Sequence, residues 1–560
     1  MAVRALFVGL IAWSCQALAQ PSEAWKVFVD DYVEAYFRAQ PTTAVWAGRH
    51  EFDGRLPDWS HAGIAREIRR LKTARARASG FRDDALSDDQ RFERDYLVAM
   101  IDSDLFWLVT ARWPFRSPTY YELEPNVYVF REYAPLAERM RAYTRYARAI
   151  PTAARQIRAN LQRPLPRTYI EMGHVMFDGL ASFYEHDAPQ AFASVTEPRL
   201  RAEFDAANAA AIAAMKVLDA WLARQKAHAT DGFALGETKF AAMLKATERI
   251  EAPLHRLREV AERDIERNTA SLRRACASFL PGATTAACVA RMRADRDPTT
   301  FLDTARGQVT MLRSFVETNA LVSIPDSEGT RVELSPPYAR WNAASINIPG
   351  PYEKGLPAIY YITPPDPKWT QAEQDDYVQP KAALLFISVH EVWPGHFVQF
   401  LHAKQAASKV GHLFGSYAFA EGWAHYVEEM MWEAGLGAGE PEVHIGELLD
   451  ALLRDVRLLS AIGLHAGTMT VAQSEQTFRE VAFQDAANAR QQAARGTFDP
   501  AYGGYTLGKL MIRKLRDEWT ATRGGRASWR AFHDELLRYG APPLPLLRER
   551  MLGAHSGDPF

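Results

Sequence analysis

Apolar residues recur at helical spacing along almost all of residues 22–323, and that periodicity restricts this part of the chain to helix packed on helix. "AWKVFVDDYVEAYFRAQ" and "DDQRFERDYLVAMIDSDLFWLVTA" begin the pattern. The Ala/Arg/Glu-rich runs "EPRLRAEFDAANAAAIAAMKVLDAWLARQKA" and "RIEAPLHRLREVAERDIERNTASLRRACASFL" extend it as long amphipathic helices. "YAPLAERMRAYTRYARAIPTAARQIRANL" predicts two helices meeting at Pro151, because proline removes an internal hydrogen bond and crowds the preceding turn. Pro- and Gly-bearing segments such as "QRPLPRTY" and "LPGATT" separate the runs.

The texture changes between about Val322 and Pro365, where Pro, Gly and Asn accumulate and "AIYYIT" is the one convincing strand. Beyond it the pattern is helical again. The expected fold is therefore mainly α, with a small β element beside a helix that begins near Lys381. The expected organisation is a leader over 1–19, a helical scaffold over 20–330 and a second half over 331–560 that carries the chemistry. Tyr360, in the strand, is a candidate to line a substrate cleft, with the strand as the edge that pairs with an extended substrate. An ordinary hairpin strand is the alternative.

The 560 residues hold ample apolar content (48%), and the formal net charge is -2, which supplies no basic excess for a nucleic-acid partner. No repeat or low-complexity tract is present. "MAVRALFVGLIAWSCQALAQ" combines Arg4, a short apolar run and Ala17-Leu18-Ala19, the pattern of a cleaved export signal. Cys15 raises lipid attachment, although Ala12-Trp13-Ser14 is a poor box for it. No later segment reads as long and apolar enough to span a bilayer, so the expected location is the periplasm or the exterior. Cys276 and Cys288 read equally as a disulfide, adding about 2–3 kcal/mol, or as two free thiols.

The chemistry concentrates in "LLFISVHEVWPGHFVQF". Histidines four apart on a helix face one ion, with the intervening glutamate as base. His390 and His396 are six apart, roughly 240° round a regular helix, so a straight helix points them away from each other. Pro394 cannot donate to the carbonyl of His390 and must open the turn, while Gly395 tolerates a detour. Either the chain bulges and returns His396 to the face of His390, or the helix ends near Trp393 and His396 lies on an unrelated loop. Glu421 follows in "YAFAEGWAHYVEEMMWEAG", with Glu428 and Glu429 further along. Two imidazoles and one carboxylate make an open three-ligand set suited to zinc.

"HEVWPGH", "AEGWAHYVEE", "LLRDVRLLSAIGLHAGTMT" and "YGGYTLGKLMIRKLR" resemble, in order, the blocks of the domain-of-unknown-function 885 family, bacterial proteins grouped with gluzincin-like metallopeptidases. The resemblance implies a zincin-like helical fold and a zinc cofactor on His390, His396 and Glu421, with Glu391 as base. It also implies Arg454, Arg457, His465 and Tyr505 near the cleft. Two departures bear on the residues around the ligands. Ala461 stands where many members have an acid. His425 follows Glu421 by four, where related gluzincins often carry an acid, and Glu428 is the available substitute.

The expected function is a zinc-dependent hydrolase cutting short peptides, with Glu391 as general base and Tyr505 and His465 as donors to the developing oxyanion. Arg454 and Arg457, three apart on one helix face, are candidates to clamp a substrate carboxylate; pairing with Asp450 or Asp455 is the structural alternative, and Lys509 and Arg513 are open to both readings. Tyr505 also reads as a packed aromatic and His465 as a core histidine. Another amide or ester hydrolase, or a zinc protein without turnover, are the rival functions. Oligomeric state is not readable.

Overall fold

The computed structural model describes residues 23–325, 329–335, 344–367, 369–553 and 557–560. The leader of residues 1–19 lies outside them. The fold is mainly helical. The amino-terminal half supplies α1 (Glu23–Ala39), α2 (His61–Ser79), α3 (Asp88–Leu105), α4 (Leu136–Asn160), α5 (Arg167–Ser182) and α6 (Pro198–Ala223). Then come α7 (Glu237–Glu248), α8 (Leu254–Phe279) and α9 (Phe301–Thr318), followed by β1 (Thr330–Leu334), β2 (Ala344–Asn347) and β3 (Ala358–Ile362). The helices around the motifs are α10 (Lys381–Glu391), α11 (His396–Ala403), α12 (Tyr417–Glu433), α13 (Pro441–Ala466), α14 (Ala486–Phe498) and α15 (Gly504–Ala521).

Buried apolar side chains form two clusters. One is built almost wholly from residues 25–222; the other takes in nearly everything from Phe233 onward. The boundary between the two apolar clusters therefore lies between α6 and α7. Helices α8 and α9 belong with the motif-bearing half, packing on α13 and α10 respectively, while α7 bridges α3 and α13 and adds its apolar side chains to the same cluster. Cys276 and Cys288 are joined in a disulfide, with Cα atoms 5.7 Å apart.

Three expectations are corrected. Pro151 does not divide α4, which runs unbroken from Leu136 to Asn160. Buried Ala147, Ile150, Ala153 and Ala154 flank the proline, and packing against α6 outweighs the one lost hydrogen bond. Residues Pro198–His228 are long and apolar enough, by length and composition, to cross a membrane. The helix nevertheless lies on α4 and α5, burying Phe204, Met215 and Leu222. Its buried Asn208 accepts from the Tyr143 hydroxyl and donates to the Tyr184 carbonyl.

The third concerns the strand. β3 is the centre of a three-stranded sheet, parallel to β1 and antiparallel to β2, so neither of its edges is free for a substrate. Of the three strands, β2 brings its backbone nearest α10. Tyr360 is fully buried, and its hydroxyl lies 3.3 Å from Ser388 Oγ on the core side of α10. Tyr360 is a packing residue.

Candidate metal centre

The helix opens where Pro394 requires it, in a way between the two alternatives. α10 stops at Glu391 and α11 starts at His396, so the histidines occupy the last turn of one helix and the first position of the next. The amides of Val392 and Trp393 both turn back to the Ser388 carbonyl, and Gly395 donates to the carbonyl of Val389 at 3.0 Å. A Cβ on Gly395 would sit 1.8 Å from the His390 carbonyl oxygen, so only glycine allows the chain to fold back this tightly. The imidazoles of His390 and His396 end 4.8 Å apart, with perpendicular planes.

α12 supplies the third side chain and holds the turn. Ser416 caps its start, accepting from the Phe419 amide. Glu421 Oε2 lies 3.4 Å from His390 Nε2 and 3.4 Å from His396 Nε2. Two residues on, the Trp423 indole donates to the carbonyls of Pro394 and Gly395, at 3.0 and 3.2 Å. Between them, Gly422 meets Gly508 of α15 so closely that a Cβ on either would lie within 2.6 Å of the other's Cα. This contact of bare backbones draws α15 in and places Tyr505 beside the histidines, its ring 6.2 Å from that of His390.

The donor set fits a zinc ion. Ligand atoms of His390, His396 and Glu421 all lie within 4.8 Å of one another. Atoms bound at about 2.0 Å around a tetrahedral centre stand roughly 3.3 Å apart, close to the two observed contacts to Glu421. Glu421 Oε2 is buried with no hydrogen-bond partner among the described residues, an orphan acceptor that a cation would satisfy. Burial acts to raise the Glu421 carboxyl, but the two imidazoles outweigh it and hold it well below the usual range.

A second layer orients His390. Its Nδ1–H donates to Glu428 Oε1 at 2.6 Å, which leaves Nε2 facing Glu421. Glu428 is fully buried; Arg454 reaches the same oxygen at 3.1 Å, and His425 Nδ1 lies 3.4 Å from the other. Burial and nearby Lys509 pull His425 down to about 3, so it stays neutral and donates. The acid expected at the position of His425 is thus supplied one turn later by Glu428. Ala461 packs in the core among apolar neighbours.

Glu391 follows His390 directly and lies within electrostatic reach of His396, His390 and Glu421; burial pushes its carboxyl up. Tyr505 is buried, and its hydroxyl is pushed up by burial and by Glu421. Arg454 pairs with Glu428 at 3.1 Å and with Asp450, 3.6 Å away, so its charge is matched within the fold. Arg457 lies with its guanidinium 4.9 Å from the Tyr505 ring centre.

His465 is not brought to the site. Its Nε2–H donates to the Gly496 carbonyl at 2.8 Å, its Nδ1 accepts from the Leu235 amide, and its ring stacks on Phe240. With both nitrogens on backbone and burial pulling it down to about 4, it joins α13 to its neighbours and offers no oxyanion donor. Lys509 is likewise structural: fully buried, it bonds Asp264 at 2.7 Å within a network that includes Glu429, Arg267 and Arg513. Sequence reasoning missed Tyr417 and Arg495, which meet beside Tyr505 through a 3.1 Å hydrogen bond. The aromatic opening of "YAFAEGW" was the available signal for the first; Arg495 had none.

Fold and site together define a mainly helical protein with a half-buried His-His-Glu cluster assembled from two consecutive helices and a third. The chain belongs to the family described as bacterial protein of unknown function (DUF885), whose model matches residues 41–551. It is similar to a solved structure from Shewanella oneidensis described as a candidate lipoprotein of unknown function, at 23% identity and a TM-score of 0.78. That alignment covers 94% of this chain and 99% of the other. A candidate lipoprotein from Colwellia psychrerythraea is similar at 16% identity and a TM-score of 0.80, over 94% and 98% of the two chains. These likenesses establish a shared fold. No curated protein matches the chain.

Proposed function

We propose that the chain is a zinc-dependent hydrolase of the gluzincin type that cuts amide bonds in short peptides. The observation that carries this reading is the convergence of His390, His396 and Glu421, with an orphaned Glu421 oxygen at its centre and Glu391 alongside. Zinc, when bound, supplies Lewis acidity that makes water a nucleophile near neutral pH and polarises a carbonyl. Glu391, its carboxyl raised by burial, accepts a proton from the attacking water and passes it to the amine as the C–N bond breaks. The hydroxyl stays on the acyl carbon, so one water is consumed per bond. Tyr505, its ring beside His390 and its hydroxyl pushed up by burial, is the residue to which this reading gives the role of donor to the carbonyl oxygen. Glu428, braced by Arg454, keeps His390 in the tautomer that leaves Nε2 free.

Export belongs to the same proposal. The leader pattern, the Cys276–Cys288 disulfide and the lipoprotein descriptions of the two similar structures support it. The test is metal analysis of purified protein followed by digestion of a mixed peptide library with wild type and Glu391→Gln. The reading expects about one zinc per chain in both proteins and cleavage by wild type alone. Bound zinc with no cleavage by either protein leaves a zinc-binding protein without turnover; cleavage of simple esters but no peptides leaves an esterase.

A further inference from the structure

Buried arginines are costly unless each guanidinium finds acceptors. All but one of those in this protein reach at least one carboxylate or backbone carbonyl, although Arg454 leaves Nε and Nη1 without a hydrogen bond among the described residues. Arg131 reaches Glu353 and two carbonyls, Arg454 reaches Glu428 and Asp450, Arg516 reaches Glu433, Arg548 reaches Glu518, and Arg139 bonds three backbone carbonyls. Arg457 is different. It is 8% exposed, its Nε donates to Gln492 Oε1 at 2.9 Å, and its two terminal nitrogens meet no carboxylate or carbonyl among the described residues. Its charged neighbours are cations, Arg495 first and then Arg454, and with burial they destabilise the guanidinium.

The position of this unmatched cation is informative. Three guanidiniums surround the Tyr505 ring, with centres 4.9 Å (Arg457), 5.7 Å (Arg454) and 6.0 Å (Arg495) from its centroid. Arg454 is neutralised by Glu428 and Asp450, and Arg495 by Asp499 at 2.9 Å. The excess positive charge therefore resides on Arg457, one aromatic ring away from His390. A peptide advances roughly 3.5 Å per residue, so a group one to three residues past a carbonyl held at the histidines comes within reach of this guanidinium.

We infer that Arg457 receives the C-terminal carboxylate of the substrate through its two free terminal nitrogens, so that the bond cut lies within about three residues of a free C-terminus. The inference rests on the hydrolase reading for the identity of the chain that enters, and it makes the activity that of a carboxypeptidase. A planar fork of donors matches a carboxylate in bidentate fashion, and Tyr505 at its face fixes the plane of the fork. A substrate anion also supplies the counter-charge that the fold withholds from Arg457 alone of the three.

Two measurements test this, one independent of turnover. Zinc-loaded Glu391→Gln protein is titrated with a fluorescent tetrapeptide ending in a free carboxylate and with the same peptide as its C-terminal amide. The free acid should bind at least tenfold more tightly, and Arg457→Gln in the same background should abolish the difference. In wild type, kcat/KM for the free acid should exceed that for the amide at least tenfold, and Arg457→Gln should lower it about a hundredfold while barely affecting the amide. Arg457→Lys should restore only part of the preference. The melting temperature of Arg457→Gln should be unchanged or higher, since an unmatched buried cation is removed; a sharp fall assigns Arg457 to structure and overturns the inference. Equal cleavage of acid and amide also overturns it and leaves the hydrolase reading intact. A binding preference without any cleavage retains the carboxylate subsite and removes the hydrolase. No binding of either peptide removes both.

Discussion

The indole nitrogen of Trp423 donates to the carbonyl of Pro394 at 3.0 Å, so the helix that carries Glu421 also holds the break that lets His396 face His390. Ligand and fastener are two residues apart in "EGW". Trp423→Phe shrinks the ring and removes the donor; the Gly395 carbonyl keeps the Gln399 amide, but the buried Pro394 carbonyl is left unsatisfied at a cost of about 1–3 kcal/mol. The expected outcome is a folded protein with weakened zinc affinity, measured by chelator competition, and little change in far-UV circular dichroism.

Gly508 meets Gly422 with no room for a side chain, and a Cβ there would lie 1.8 Å from the Ala418 carbonyl oxygen. Gly508→Ala must push α15 away from α12. Overpacking of this kind costs about 1–3 kcal/mol, and more where backbone rather than a side-chain tip is struck. Activity should fall further than stability, because the displaced helix carries Tyr505; parallel denaturant titration and peptide cleavage assays measure the two effects.

Glu428→Gln keeps the shape beside His390 and removes the carboxylate that binds its Nδ1–H and pairs with Arg454. Loss of such an outer carboxylate typically lowers metal affinity about 10–100-fold. The check is the zinc dissociation constant of the variant, with Glu429→Gln as the contrast: that neighbour faces Arg267 and Arg513, and its loss should lower stability without an equal loss of zinc.

Lys509 is fully buried between Asp264 at 2.7 Å and Glu429 at 3.6 Å. Lys509→Met leaves the two carboxylates short of a counter-charge and should destabilise the fold by about 3–5 kcal/mol. Urea unfolding measures it. A loss below about 1 kcal/mol would show that Arg267 and Arg513 neutralise the acids unaided.

His50 lies 3.1 Å from Asp53 and 3.4 Å from Glu353, stacks on Tyr133, and shares Glu353 with Arg131. Burial pulls its imidazolium down, but the two carboxylates outweigh that and raise it to about 9. Its folded value exceeds the unfolded one, so the contribution is complete below about pH 6.5 and is lost as pH rises through about 9. Wild type should therefore lose its stability advantage over His50→Gln across that window, on the order of 1 kcal/mol after solvent screening. Thermal melts of both proteins from pH 6 to 10 read the convergence.

Local pattern was enough to read the helical class, the β interlude, the two histidines with their glutamate, and the use of Pro394 and Gly395 to break a helix, because each depends on residues within a few turns of one another. Glu421 was also legible, through its place in a quoted block. Distance in three dimensions decided the rest. Pro151 reads as a break until α6 packs over it, Tyr360 reads as cleft-facing until both edges of β3 are occupied, and His465 reads as a donor until the backbone of Gly496 and Leu235 claims its nitrogens. Arg454 and Arg457 are indistinguishable in "LLRDVRLL". They part only when Glu428, from another helix, meets one guanidinium and leaves the other without an anion. Periodicity records which face of an element is apolar, whereas the partner of a charged or polar group is chosen by helices that come together only on folding.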